Sequence, residues 1–430
     1  MRKPTIHSAV DIGTSKITTV IATLGEEDKS LRVVGVASVP SRGLRKSQVV
    51  DIEDAIDAAT ESVEMAERMA GFSIKSAAVS VSGIHIESQN SKGLVAVASP
   101  DTEIEKGDVY RVVEAARAVP LTDSREIIHV VPRFFLVDNQ EGIKDPVGRS
   151  GVRLEAEAHL ISGSSVNIKN LTKIMSEIGL DTVGLTFAGL ASAEAVLTDT
   201  EKELGVVLID VGGGTTSIEV YVEGALTHSA VIPVGAKNIT SDIAIGLRVS
   251  LDVAEAVKRN LAPEAHSKVL DPKNISSKKQ ADEIDLHKLG IEGAPKKISR
   301  KAVVEGIVRP RLNEIFELVK SELIKGGVIG KTPAGLVLTG GGSLTYMMGD
   351  AARRVLGLQS RTATPTGMIG LVDEIKTPEF ATVVGLLKVI SQGELQRPTS
   401  SSLRMPKVNL SLFKNMNLSK VKDFIKSFLP

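Results

Sequence analysis

Two hydrophobic periodicities alternate along this chain. Four stretches run as short apolar strands into a glycine-bearing turn: "SAVDIGTSKITTVIA" (8–22), "AAVSVSGIHIES" (77–88), "VLIDVGGGTTSIEVY" (207–221) and "AGLVLTGGGSLTYM" (334–347). In the third, Val206 to Ile209 form a continuous apolar run, and Ile218, Val220 and Tyr221 alternate with polar neighbours. Two strands joined by a glycine turn, a hairpin, are expected there. Helical periodicity lies between the strands, in "DIEDAIDAATESVEMAERMAG" (51–71) and "VVEGIVRPRLNEIFELVKSEL" (303–323), and Gly71 is placed to cap the first helix. Mixed strands and helices of this kind predict an α/β protein.

Three stretches break the rhythm. Residues 82–162 carry "IIHVVPRFFLVDNQEGIKDPVG", a strand-and-turn segment with Pro132 and Pro146 that is expected to be an inserted small domain. Residues 263–300, with "KNISSKKQ" and "GAPKK", are polar and predict loops or a small subdomain. From Ser391, "SQGELQRPTSSSLRMPK" has the Pro and Ser content of a flexible tether.

Length adds that 430 residues exceed one ordinary core, since single cores stop growing at roughly 250–300 residues, so two or more domains are expected. With no Trp and 3% aromatic residues, those cores must be aliphatic. Equal basic and acidic counts, 52 and 52, give no global field to draw the chain onto nucleic acid. The absence of Cys excludes disulfides, thiolate metal sites and cysteine nucleophiles, and fits a reducing cytosol. The start, "MRKPTIHSAVDIG", lacks a signal-type apolar segment, and no run approaches the roughly 18 apolar residues of a membrane span.

The glycine turns carry the candidate chemistry. A glycine backbone can approach a phosphate with no side chain in the way, and its amides can aim at the oxygens. Asp11-Ile12-Gly13-Thr14-Ser15-Lys16 and Asp210-Val211-Gly212-Gly213-Gly214-Thr215-Thr216 would clamp a polyphosphate if they faced each other. Each begins with an aspartate at a strand end, where a carboxylate can hold water around Mg²⁺. Neither is a Walker A loop or a Rossmann fingerprint.

Two DxG turns followed by "LTGGGS" (338–343) resemble the actin, Hsp70 and sugar-kinase superfamily, and within it the FtsA family of bacterial cell-division proteins. The phrases that carry this are "EKELGVVLIDVGGGTTS" (201–217), "VIPVGAKNITSDIAIGLRVSLDVAEAVK" (231–258), "REIIHVVPRFFLVDNQEGIKDPVGRSGVRLE" (125–155) and "EFATVVGLL" (379–387). The resemblance implies an actin-like ATPase fold, with two related ribonuclease-H-like halves around a nucleotide cleft. It divides the chain into subdomain 1A (1–81 and 163–204, with 378–390), 1C (82–162), 2A (205–236 and 301–377), 2B (237–300), a linker (391–416) and a terminal helix (417–430).

Residue by residue, the resemblance implies that Asp11 and Asp210 organise Mg, and that Gly13, Thr14, Ser15 and Lys16 with Gly212, Gly213, Gly214, Thr215 and Thr216 hold the ATP phosphates. Glu255 and Lys258 match an AExxK pair that reaches the ribose and base, and Gly340, Gly341, Gly342 and Ser343 approach the adenosine. Arg311 matches an arginine connected with the surface that docks the C-terminal peptide of FtsZ. Ser217 stands where the family usually has Asp, which favours binding over efficient hydrolysis, so at most weak ATPase activity is expected.

The tail "NLSKVKDFIKSFLP" (417–430) has its own pattern. On a helical wheel Leu418, Val421, Phe424, Ile425, Phe428 and Leu429 share an arc of about 140 degrees, bordered by Lys420, Lys422 and Lys426, with Asn417 placed to cap. Such a helix suits the interface of an anionic membrane, each lysine contributing roughly 1 kcal/mol near the surface. The expected protein is peripheral to the cytoplasmic membrane at the division site, assembles into filaments of itself and tethers FtsZ. A soluble actin-like adaptor of pilus assembly and a small-molecule kinase of the same fold are the alternatives.

Overall fold

Residues Thr5–Ile12 (β1) and Lys16–Leu24 (β2) form the first expected hairpin, in register from Thr5↔Leu24 to Ile12↔Ile17. Leu31–Pro40 (β3) continues it antiparallel, and Ile52–Ala70 (α1) crosses to Ser76–Val81 (β4), which lies parallel to β1. The structure is a computed structural model and describes residues 5–25, 30–97, 103–262, 282–285 and 297–393. Helix α1 starts where Asp51 accepts hydrogen bonds from the Glu53 and Asp54 amides and stops at Gly71, left-handed at φ 80° as its spacing predicts. Ala55, Ala58, Ala59 and Ala66 form its buried face, so the helix lies close on the sheet without aromatic bulk.

Between β4 and the rest of this half lies a separate sheet. It comprises Glu87–Ala96 (β5), Arg125–Val137 (β6), Gln140–Ile143 (β7) and Arg153–Ser164 (β8) in the order β5-β8-β6-β7, with Lys106–Arg117 (α2) packed on it. It has its own core, including Val112, Phe135, Val137, Ile143 and Leu154. The chain then returns through Ser165–Glu177 (α3) to Asp181–Phe187 (β9), parallel to β4, and Ala188–Val196 (α4).

The second half repeats the plan. Val206–Val211 (β10), Thr216–Val222 (β11) and Ala225–Ile232 (β12) form an antiparallel meander. Helices Ala236–Leu247 (α5), Leu251–Arg259 (α6) and Arg309–Lys325 (α7) follow, and Leu336–Thr339 (β13) and Ser360–Thr362 (β14) add parallel strands. The strand orders, β9-β4-β1-β2-β3 and β12-β11-β10-β13-β14, have the same connectivity in each half, and Met368–Gly370 (β15) joins the edge of β3. This is the duplicated ribonuclease-H-like architecture expected from the sequence. The expected small subdomain before residue 300 is described only at Glu283–Asp285 and Lys297–Ser299, which pair antiparallel. Residues 391 and 392, expected in the tether, are the last of helix Ala381–Gln392 (α8), capped by Gly393 at φ 75°.

Helix α8 crosses α4 at Gly385, where a methyl group would overlap the Ala191 carbonyl oxygen. The "FAGLASAEAV" composition of α4 and its approach suits a helix pair held backbone to backbone. On the facing sheet, Glu219 of β11 is fully buried against α4. Its Oε2 is 2.7 Å from Ser229 Oγ, which is 3.0 Å from His159 Nε2 of the inserted sheet, and His159 Nδ1 is 2.7 Å from Asn90 Oδ1.

The proton order along this chain follows from its ends. Asn90 Nδ2 donates to the Thr227 carbonyl, so Asn90 Oδ1 must accept from His159 Nδ1. Burial lowers the His159 pKa to about 3, leaving a neutral ring whose Nε2 accepts from Ser229. Ser229 Oγ in turn accepts from Glu219, which must be a carboxylic acid with its O–H donating. Burial pushes the Glu219 carboxyl well above its usual range, in agreement. Because the folded carboxyl holds a proton that the unfolded one releases above the ordinary Glu range, the wild type loses up to about 1.4 kcal/mol of stability per pH unit there. Glu219→Gln keeps a donor to Ser229 without that penalty. Its melting temperature should exceed wild type at pH 7–8 and match it near pH 4; a gain independent of pH would contradict the protonated assignment.

Candidate functional site

The two glycine turns are built alike. Asp11 pairs with Thr18 across β1–β2, and the Gly13 amide closes the turn on the Lys16 carbonyl at 3.1 Å. Asp210 pairs with Ser217 across β10–β11, and the Gly212 amide closes on the Thr215 carbonyl at 2.9 Å. The amides of Thr14, Ser15, Gly213 and Gly214 make no hydrogen bond to other described residues. The turns meet face to face: a methyl at Gly213 would overlap Ser15 Oγ, and one at Gly214 would lie 2.8 Å from the Thr14 methyl. Glycine leaves room there for the Ser15 and Thr14 side chains that approach from the opposite half of the molecule.

The two aspartates are held from the elements behind them. Ser80 Oγ of β4 donates to Asp11 Oδ1 at 2.6 Å. Ser192 Oγ of α4 donates to Asp210 Oδ2 at 2.5 Å, with Thr382 of α8 adding a bond at 3.3 Å. The protein packed around Asp210 strips its carboxylate of water and raises its pKa to about 6, against the pull of Ser192 and with the Asp11 charge adding to the rise. Burial likewise raises Asp11, while Ser80 and Lys16 oppose it. Ser217, directly across from Asp210 and 5% exposed, leaves this pocket one carboxylate fewer than an Asp would.

Lys16 Nζ reaches Glu379 Oε2 at 2.8 Å and lies 4.3 Å from the centre of the Phe380 ring. Lys237, at the start of α5, crosses between the halves to donate to the Thr14 carbonyl at 2.9 Å. The backbone amides of Ala236 and Lys237 donate to the carbonyls of Gly212 and Gly213, so the second turn rests on the N-terminus of α5. The Gly340–Ser343 turn lies on the same strand end. Gly340, at φ 78°, abuts Asp210 Oδ1; Gly342 abuts Val211 and Ala236; Ser343 Oγ bonds the Gly340 carbonyl at 2.7 Å; Gly341 lies near Glu379. Glu255 and Lys258 of α6 pair with each other at 2.6 Å and both bond Thr240 of α5, at 2.6 and 2.9 Å.

Arg311 is elsewhere. It grips Asp242 of α5 with two bonds, 2.5 and 2.9 Å, and also pairs with Glu314, so it ties α7 to α5 and is 23% exposed along its side chain. The tail residues Asn417, Leu418, Lys420, Val421, Lys422, Phe424, Ile425, Lys426, Phe428 and Leu429, and the tether from residue 394, lie outside the described residues.

Comparison with known proteins decides the family. The model described as "SHS2 domain inserted in FTSA" matches residues 83–162, and "Cell division protein FtsA" matches residues 207–385. The chain is 40% identical over 380 residues to cell division protein FtsA of Pseudomonas aeruginosa, covering 88% of this chain and 87% of that protein. It is 35% identical over 424 residues to FtsA of Escherichia coli (strain K12), covering 96% and 97%. This chain belongs to the FtsA family.

It is therefore a cell-division protein with an actin-like fold, and the inserted sheet is the family's SHS2 domain. The fold likeness extends to the solved PilM–PilN type IV pilus biogenesis complex, with a TM-score of 0.61 over 89% of this chain and 97% of that one; at 16% identity it speaks for the fold alone.

Sequence reasoning missed several groups that shape the candidate site. Ser80, Ser192 and Thr382 orient the aspartates, and Lys237 and Glu379 cross the cleft. Lys237, Glu379 and Thr382 stand inside the phrases that carried the family resemblance, so those phrases held the signal. Ser192 had none, because it is one small residue in an alanine-rich helix.

Proposed function

We propose that this chain binds ATP with Mg²⁺ between its two glycine turns, polymerises on the inner face of the cytoplasmic membrane and tethers the FtsZ ring to it during division. The observation that carries the reading is the pair of turns meeting across the halves, with an aspartate behind each and the Thr14, Ser15, Gly213 and Gly214 amides making no hydrogen bond to other described residues. The residues fit the ligand. Gly13, Thr14, Ser15 and Lys16 with Gly212 to Thr216 supply amide, hydroxyl and ammonium donors for phosphate, and Gly340 to Ser343, Glu255 and Lys258 flank the side for adenosine. No group of three or more His, Cys, Asp or Glu among the described residues is spaced to hold a metal. Asp11 and Asp210 would therefore hold Mg²⁺ through water and phosphate oxygens. Lys16 must exchange Glu379 for phosphate when ligand enters. Bound ATP supplies charge that pulls the halves together, shifting the population toward the assembling state.

Arg311 would support FtsZ docking by fixing α7 to α5 beneath that surface, since its own guanidinium is committed to Asp242. The terminal amphipathic segment would lie on the membrane, and filament formation would multiply its weak single-copy binding. Sedimentation with anionic liposomes tests this. The intact chain with ATP should pellet, and a version ending at Lys407 should stay in the supernatant, a loss of about tenfold or more in bound fraction. Equal pelleting of the two would refute membrane binding by the tail.

A further inference from the structure

Between β3 and α1 a small hairpin, Leu44–Arg45 paired with Gln48–Val49, points its tip at the place where the two glycine turns meet. The tip residues Lys46 and Ser47 both have left-handed backbones, at φ 49° and 58°. Two-residue turns of this kind favour Asn-Gly, and a side chain there is disfavoured. Ser47 is nonetheless buried, at 9% exposure. Its amide donates to Thr14 Oγ1 at 2.8 Å, and its Oγ lies 3.2 Å from Thr14 Oγ1 and 3.3 Å from Thr215 Oγ1. One hydroxyl on a strained turn thus bridges the two jaws, which belong to different halves of the chain. Backbone strain held in place by its surroundings points to a functional demand at that residue.

The hairpin is also anchored on its other sides. The Ser41 amide donates to the Ser15 carbonyl at 3.1 Å, and the Ser47 carbonyl sits against Gly83, where the SHS2 match begins. The groups assigned to the adenosine side, Gly340 to Ser343 with Glu255 and Lys258, pack instead around Val211, Ala236 and Thr240 of the second half. Ser47 is therefore at the phosphate end of the cleft.

We infer that Ser47 is the residue that distinguishes a nucleoside triphosphate from a diphosphate, by hydrogen bonding to the terminal phosphoryl group; this rests on the nucleotide reading above. Phosphate oxygens accept more strongly than hydroxyls, so a phosphoryl group that takes the protons of Thr14 and Thr215 also competes with their oxygens for the Ser47 O–H. The Ser47 O–H then turns from the threonine oxygens to the same phosphoryl group, the stronger acceptor. A shorter phosphate chain leaves the three-hydroxyl bridge intact. The difference between the two ligands falls on the hairpin tip, and through it on the Gly83 entry to the SHS2 domain.

Ser47→Gly separates function from fold, because glycine removes the hydroxyl and also accommodates the left-handed backbone. The variant of the full chain should melt no lower than wild type. Its preference for ATP over ADP, measured by calorimetric titration with each nucleotide and Mg²⁺, should fall about tenfold, the loss of one charge-assisted hydrogen bond. Ser47→Thr, which keeps a hydroxyl, should retain more of the preference than Ser47→Gly. A Ser47→Gly protein with the wild-type ATP-to-ADP ratio would overturn the inference while leaving the nucleotide reading in place. Absence of binding of either nucleotide by the wild type would overturn both.

Discussion

Asp210→Asn should lower the affinity for Mg·ATP by about 100-fold, close to 2.7 kcal/mol, while making the protein more stable than wild type at pH 7. The two halves of this expectation have one cause. In the folded protein the Asp210 carboxylate is stripped of water, and its pKa is raised to about 6 against an ordinary 3.8. A raised pKa in an acid means that folding disfavours the charged form, so ionising Asp210 costs stability as pH rises from the usual Asp range through about 6. Asn keeps an oxygen for the Ser192 and Thr382 hydroxyls and removes that cost. Under the proposed function, the charge serves a cation and its water.

The same pKa gives a pH signature. Binding a hydrated cation requires the ionised carboxylate, so below about 6 the ligand must displace a proton from Asp210. Wild-type affinity for Mg·ATP should fall by up to about tenfold per pH unit in that range, and the Asn variant should show a flatter profile. Titration calorimetry at pH 5, 6 and 7 measures both. An Asn variant that binds Mg·ATP as tightly as wild type at pH 7 would remove Asp210 from the site.

What the sequence made legible was what local chemistry enforces. The DxG turns, the helix closed by Gly71 and the inserted unit at 82–162 are each specified by short-range patterns, and each stands where those patterns place it. The facing of the two turns was a guess that pairing alone could not secure, since it depends on β1 and β10 lying in separate sheets. The supports behind the turns were not legible for a related reason. Ser80, Ser192, Thr382 and Glu379 lie far along the chain from the aspartates and lysine they hold, and nothing in a serine or threonine announces its partner. Arg311 shows the converse. Resemblance drew attention to it as a docking residue, whereas the structure commits it to Asp242 within the chain.

Gly385→Ala should cost about 3 kcal/mol of stability, at the upper end of what a single added methyl does in a packed core. The added carbon would overlap the Ala191 carbonyl oxygen of α4, and a carbonyl fixed in a helix cannot move aside as a flexible side chain can. Helices α4 and α8 must then separate. They are the layer between the two sheets, and each carries one of the hydroxyls on Asp210, Ser192 on α4 and Thr382 on α8. Those hydroxyls are themselves 3.0 Å apart, so widening the crossing pulls the pair open and releases the carboxylate. The variant should therefore melt several degrees lower and also bind Mg·ATP more weakly. A control at Gly349, whose added carbon would meet only Ser360 Oγ at 3.4 Å, should do neither. A Gly385→Ala protein with wild-type melting would show that the helices are not in contact at this crossing. Lowered melting with unchanged nucleotide affinity would show that the cleft does not depend on the helix pair behind it.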